Sequence, residues 1–330
     1  MKDILLAYGS VFQSHVPPRS HPENPERLTP LYSRLAEDPI LRSIACLQPL
    51  PLAGSESLQS FHTQECVQAL MALKGSSGWF DADTYFEPTS LTAALTAVGT
   101  TKEMAKKIYA GEARRGFALL RPPGHHARPS SPMGFCLFNN IGVAAASLLQ
   151  ERPTLRLAIV DFDLHHGNGT QECFYTDERV LFISSHRFPY YPGTGGADEH
   201  GEGSGRGLTV NFPLPKAYPD SVLASVYGRF ALPILEAFSP DMILVSAGYD
   251  GHIFDPMRGL ELTTDFYGAL TETLLAAAER LCSGKILFCL EGGYSPDHLC
   301  ESVLASLSKM IRCPRERFQP TLRPSAVPES

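Results

Sequence analysis

Five short apolar runs constrain this chain more than any other feature. Residues 116–120, 155–160, 180–184, 241–246 and 285–290 are rich in Val, Ile, Leu and Phe and show no alternation of apolar and polar positions. A strand with one wet face alternates with period two, whereas a strand covered on both faces does not, so these runs predict buried strands of a parallel sheet. Helical patterns lie between them. Residues 90–110 place Leu91, Leu95, Val98, Ala105 and Ile108 on one side, with Ser90 as the expected N-cap and Gly111 beyond the end. Residues 140–150, 264–281 and 296–311 read likewise, the last with Ser295 as cap and Pro296 at the first helical position. Strands alternating with helices predict an α/β fold with a mainly parallel sheet. The 330 residues can bury a sizeable core, and no repeat or linker divides them. Residues 1–313 are therefore expected to form one domain, with the Pro-rich residues 314–330 as a tail extended over the surface.

Charge narrows the partners. The chain has 28 Lys and Arg against 35 Asp and Glu, a net charge of −7. That argues against a surface devoted to nucleic acid or anionic lipid and suits a cationic partner. The apolar run within residues 1–10 is too short for a signal peptide, and no stretch is read as approaching the roughly 20 apolar residues of a membrane span. A soluble cytoplasmic protein is expected, its oligomeric state open. The 8 cysteines include no CxxC pair and are scattered through apolar segments, which predicts reduced, mostly buried thiols. Residues 187–207 hold seven glycines and two prolines, and a loop that long inside a domain is more often functional than ornamental. No GK[ST] follows it and no GxGxxG opens a helix there, which argues against nucleotide binding.

In open parallel sheets, ligands bind outside the carboxyl ends of the strands. The residues that follow the five runs are chemically uniform. They include His125 and His126 in RPPGHH, then Asp161, Asp163, His165, His166 and Asn168 in DFDLHHGNG, then SHR, then Tyr249-Asp250, then EGGY ending in Tyr294. A lone Asp after a strand is usually a helix cap, but five converging ends are harder to dismiss. Asp161, Asp163 and His165 fall at i, i+2 and i+4 and point to one side if the chain stays extended. Two carboxylates and an imidazole suit zinc, and Asp163, His165 and Asp250 are the preferred triad, leaving an open coordination position. Zinc so held lowers the pKa of a coordinated water to about 7 and polarises a carbonyl, which suggests hydrolysis. Amide hydrolysis further needs proton transfer and an oxyanion donor. His125 and His126 are expected to handle protons, Asp161 and Asn168 to orient the imidazoles, and Tyr294 to offer its phenol.

HPENPER, RPPGHH, GFCLFNN, DFDLHHGNGTQ, YPGTG, SAGYD and EGGY occur together from His21 to Tyr294. In content and order they resemble the motifs of the histone deacetylase superfamily, and the form with Asn168 resembles the class II pattern, here taken to be of bacterial type. The resemblance implies the arginase/deacetylase fold, a single α/β domain with an eight-stranded, mainly parallel sheet flanked by helices. It also implies zinc-dependent removal of an acyl group from an amine.

Matched residue by residue, Asp163, His165 and Asp250 correspond to the zinc ligands. His126 corresponds to the general base and acid, and His125, paired with Asp161, to its charge-stabilising neighbour. Tyr294 corresponds to the transition-state tyrosine. Asn168 stands where other members have a second Asp, which leaves His126 less biased toward imidazolium. Phe135 and Tyr191 correspond to the walls of an acyl-lysine tunnel, the second usually being Phe. Gly134 would let the methylenes pass, Met257 aligns with the tunnel rim, and Arg27 with an arginine lining an acetate exit. A potassium ion is implied at backbone oxygens of Asp161, Asp163 and His165 with Ser184. Of the other histidines, His15, His62, His200 and His298 have no partner in pattern, His166 is expected beside the ligand His165, and His186 and His252 near the mouth.

The implied substrate is acetyl-lysine, or a short-chain acyl-lysine, in a protein or peptide. An acetylated polyamine or other small acylated amine is the alternative, which the apolar Met257 disfavours and the nearby Glu261 favours. A binuclear hydrolase of the arginase type would need further aspartates, and a non-catalytic acyl-lysine binder would be expected to have lost a ligand or the tyrosine.

Overall fold

The computed structural model describes residues 2–312. Among these residues ten strands form: β1 Lys2–Ala7, β2 Ala45–Cys46, β3 Gly78–Trp79, β4 Tyr85–Phe86, β5 Ala113–Ala118, β6 Leu157–Asp161, β7 Val180–Arg187, β8 Thr209–Leu214, β9 Met242–Ala247 and β10 Ile286–Leu290. Eight of them make one parallel sheet in the order β2-β1-β5-β10-β9-β6-β7-β8. The remaining two, β3 and β4, form a small antiparallel hairpin. The five apolar runs became β5, β6, β7, β9 and β10, and every residue of β6, β9 and β10 is buried. Three strands of the large sheet escaped the apolar-run criterion. The apolar start of the chain forms β1, β2 is two residues long, and β8 is interrupted by Asn211 and Pro213.

The helices Ser90–Tyr109, Asn140–Glu151, Thr264–Cys282 and Pro296–Arg312 match the expected ones within two residues. Ser90 is not a cap: it is the first helical residue, and its hydroxyl accepts the Glu87 N–H at 2.8 Å and pairs with buried His15. Ser295 stands directly before its helix, where its carbonyl accepts the Leu299 N–H at 2.8 Å and its hydroxyl pairs with His298 Nδ1 at 2.8 Å. One helical stretch, Asp220–Phe238, is long and apolar enough to cross a membrane by length and composition alone, contrary to the sequence expectation. Its buried residues Leu223, Tyr227, Ala231, Leu235 and Phe238 recur every three to four positions, the stripe of a helix laid against a protein core. The cysteines in the described residues are all free, most of them buried; Cys313 and the expected tail lie outside those residues.

Register sets up the site. Asp161, the last residue of β6, pairs with Ser184 of β7 and Ser246 of β9, so a polar row caps the apolar strands at the carboxyl edge. The loops bearing His125, Tyr294, Asp250 and Asp163 follow β5, β10, β9 and β6, four adjacent central strands.

Candidate active site

Asp163, His165 and Asp250 are buried, and one ligand atom of each lies within 4.8 Å of the others. The chain does not stay extended through this stretch. Asp161 Oδ1 accepts the Asp163 N–H at 3.1 Å and Asp163 Oδ1 accepts the His165 N–H at 2.8 Å, so the backbone turns. The turn sends Asp161 away from the triad, where its Oδ2 meets His125 Nδ1 at 2.9 Å.

The triad fits a metal ion. His165 Nδ1 lies 3.1 Å from Asp163 Oδ1 and 2.9 Å from Asp250 Oδ2, yet Asp250 Oδ2 is buried without a well-directed hydrogen bond. Two carboxylates and an imidazole aimed at one point with a lone pair to spare are a zinc-type donor set. Glycines make the room. A Cβ on Gly292 would come within 2.5 Å of Asp163 Oδ2 and 2.6 Å of Asp250 Oδ2, and one on Gly248 within 2.0 Å of Asp163 Oδ2. Gly292→Ala is expected to cost the protein its metal while circular dichroism stays that of the wild type; full metal content in that variant would contradict the assignment.

The two adjacent histidines differ electrostatically. Burial alone would lower His125, but the carboxylates of Asp163 and Asp161 outweigh it and raise the imidazole to about 10. Burial raises Asp161 as well, and the 2.9 Å contact favours the imidazolium–carboxylate pair. Burial, with His125 and His165 alongside, holds His126 well below its ordinary value. Its Nδ1–H donates to Asn168 Oδ1 at 2.8 Å, which leaves Nε2 as the basic nitrogen. The two environments push the adjacent imidazoles in opposite directions, His126 toward neutral and His125 toward charged, which suits them to different tasks.

His126, His165 and Tyr294 line a cavity of about 230 Å³ together with Gly134, Phe135, Tyr191 and Met257. The expected tunnel residues are therefore brought together. Phe135 sits at φ 70°, in the left-handed region, with its N–H on Thr84 Oγ1 at 3.1 Å. A Cβ on Gly134 would meet the His126 ring at 2.5 Å. Burial keeps the Tyr294 phenol protonated by raising it well above its ordinary value. Its ring stands edge-on to Phe135, and the Arg27 guanidinium lies 4.6 Å from the ring centre. Arg27 itself does not line the cavity: it donates to the carbonyls of Gly293 and Glu291, both at 2.6 Å, and to Glu23.

Several residues at the site escaped sequence reading. Glu291 Oε2 accepts the N–H groups of Gly124 at 2.6 Å and His125 at 3.1 Å, tying the loop after β10 to that after β5. Asp255 accepts the N–H of Tyr294 at 2.6 Å and of Met257 at 3.0 Å. Buried Glu23 joins Arg27 and Arg121. Tyr190 stacks on His165, and Asp83 lines the cavity. Glu23, Arg121 and Glu291 fall within motifs quoted above, and no local pattern announces Asp83, Tyr190 or Asp255. His186 and His252 are buried rather than at the mouth, bonded to Ser184 with Gly195 and to Thr264.

Comparison with known proteins identifies relatives of this chain and of its fold. The histone deacetylase domain profile matches residues 21–310. A probable deacetylase of Archaeoglobus fulgidus is 39% identical over 292 residues, covering 88% of this chain and 81% of that protein. The chloroplastic histone deacetylase 14 of Arabidopsis thaliana is 36% identical over 309 residues, covering 88% and 73%. The crystal structure of the HDA15 HD domain superposes with a TM-score of 0.89 at 35% identity, covering 95% of this chain and 91% of that one. With the family profile spanning most of its length and the same α/β architecture beneath it, the chain belongs to the histone deacetylase family.

Proposed function

We propose that this protein is a zinc-dependent deacetylase that removes an acetyl or short acyl group from the ε-amine of lysine. The observation that supports it most is the convergence on one cavity of the triad ligand His165, the neutral imidazole of His126 and the protonated phenol of Tyr294. Zinc held by Asp163, His165 and Asp250 would supply Lewis-acid polarisation of the acyl carbonyl and acidification of water. His126 takes a proton from the attacking water and returns it to the departing amine. Tyr294 donates its phenolic hydrogen to the oxyanion. His125, held by Asp161, stabilises the negative charge that builds beside it, and Asn168 orients His126. Gly134, Phe135, Tyr191 and Met257 pack around an aliphatic stem and exclude water. Arg27 is offered for the acetate path: it lies under Tyr294 and holds the turn from Glu291 to Gly293. A potassium ion is proposed at Asp161, Asp163, His165 and Ser184; among the described residues, the carbonyls of Asp163 and His165 accept no hydrogen bond, which leaves them free for a cation. A cytoplasmic location is proposed with the acyl-lysine reading.

One observation favours a second reading, an acetylated polyamine or other small amine. The Asp83 carboxylate stands beside the tunnel, where it would meet a distal ammonium. Glu261 does not line the tunnel, and Met257 does. Comparing kcat/KM for an acetyl-lysine peptide with that for acetylspermidine tests the choice: the peptide is expected to be preferred, and a strong preference for the polyamine would overturn it.

The Asn168 contact makes a pH prediction. His126 acts as a base when deprotonated, and its lowered pKa places the acid limb of the kcat/KM profile below the ordinary imidazole value of 6.5. A carboxylate facing Nδ1–H favours the imidazolium and raises that pKa. Asn168→Asp is therefore expected to move the acid limb to higher pH; an unmoved limb would contradict the role of His126.

A further inference from the structure

Beside the tunnel lies a second concavity that deacetylation itself does not use. Its volume is about 780 Å³, it meets the tunnel at Tyr294, and its walls include Ile253, Phe254, Lys216, Arg258 and Glu261. Phe254 is 65% exposed and Ile253 45%. Scattered exposed apolar side chains are ordinary, but two neighbours in a hollow that shares the lining residue Tyr294 with the tunnel make a contact surface.

Charge gives the hollow a direction. Among the described residues, neither the Lys216 nor the Arg258 side chain has a hydrogen-bond or ion-pair partner, and Glu261 is the one exposed carboxylate lining the same walls. Arg187 adds a third cation on this side: it lies 3.9 Å from the Tyr190 ring centre and donates to the Arg258 carbonyl at 3.4 Å. The acidic group at the tunnel is Asp83, with Asp81 bonded to its N–H. In a chain of net charge −7, an unneutralised cation pair next to the active site is an anion-facing feature.

The backbone holds this arrangement in place. Ala217 at φ 63° and Arg258 at φ 49° both occupy the left-handed region, a conformation that costs energy in non-glycine residues and clusters at ligand-binding segments. The Ala217 N–H donates to the Gly259 carbonyl at 3.2 Å, pinning the two cation-bearing segments together. Asp255 couples hollow and tunnel: Oδ1 accepts from Met257 at the rim, and Oδ2 from Tyr294 and Ser295.

We propose that this concavity is a peptide subsite that receives the residues flanking the acylated lysine, taking an apolar side chain against Ile253 and Phe254 and a carboxylate at Lys216 and Arg258. The proposal rests on the acyl-lysine reading above. It makes the enzyme selective for acyl-lysines with an acidic and an apolar residue on one side.

The test uses the full zinc-loaded chain and acetyl-lysine peptides in which a single Asp, or in a matched series a single Lys, is moved along either flank. One or two adjacent positions are expected to show KM about two- to fivefold lower for Asp than for Lys, the scale of an exposed ion pair, with kcat little moved. Lys216→Glu with Arg258→Glu should invert the preference, and Phe254→Ser should raise KM for peptides with an apolar residue on that flank. Equal KM across both series, or an Asp preference that survives the double charge reversal, would overturn the subsite. A capped acetyl-lysine amide reaches the tunnel alone: its turnover beside flat peptide series sinks only the subsite, whereas failure to turn it over or any peptide contradicts the deacetylase reading itself.

Discussion

His126→Ala is expected to lower turnover of an acetylated peptide by about 10²- to 10⁴-fold, the usual worth of a positioned general base and acid, while metal content and melting temperature change little. The substitution removes Nε2, the basic nitrogen, yet leaves the triad and the His125–Asp161 pair intact. The same change one residue earlier has a different signature. His125→Ala strips the buried Asp161 carboxylate of its imidazolium, and breaking a buried pair by deleting one partner costs about 3–5 kcal/mol. That variant should lose both activity and thermal stability. Near-normal turnover in His126→Ala, or equal loss of stability in the two variants, would contradict the division of labour between the histidines. Activity, metal content and thermal melts on the three proteins decide it.

Tyr294→Phe removes one oxygen from a position whose surroundings hold the ring independently of it. Phe135 and Arg27 pack on the ring, and the backbone N–H is held by Asp255. Fold and substrate binding should persist, so KM moves little. Loss of one oxyanion donor typically lowers kcat by about 10²- to 10³-fold. Steady-state kinetics on an acetyl-lysine peptide measures this, and a change confined to KM would assign Tyr294 to binding rather than to the reaction.

How much of this was legible in the sequence follows from what local patterns record. The central strands β5, β6, β9 and β10 are covered on both faces, so their apolar runs announce them; β2 has two residues and β8 includes Pro213, and neither leaves such a run. Asp163, His165 and Asp250 stood out because each follows an apolar run at the carboxyl edge. The turn after Asp161 did not, because it depends on carboxylates bonding N–H groups two residues on. Glu291 and Asp255 were missed as functional groups for a related reason. Their work is to accept backbone N–H groups 166 and 39 residues away in the chain, at His125 and Tyr294, and a backbone donor leaves no residue type to recognise. The division of charge between His125 and His126 likewise needs the distances to Asp161 and Asn168 rather than the motif.

The most direct test of the central claim is metal content measured together with deacetylation of an acetyl-lysine peptide, before chelation, after it, and after zinc is restored. The account predicts about one zinc per chain, as three protein ligands with an open position imply, and activity that falls with the metal and returns with it. Two metal ions per chain, or deacetylation that persists after the metal is gone, would contradict it.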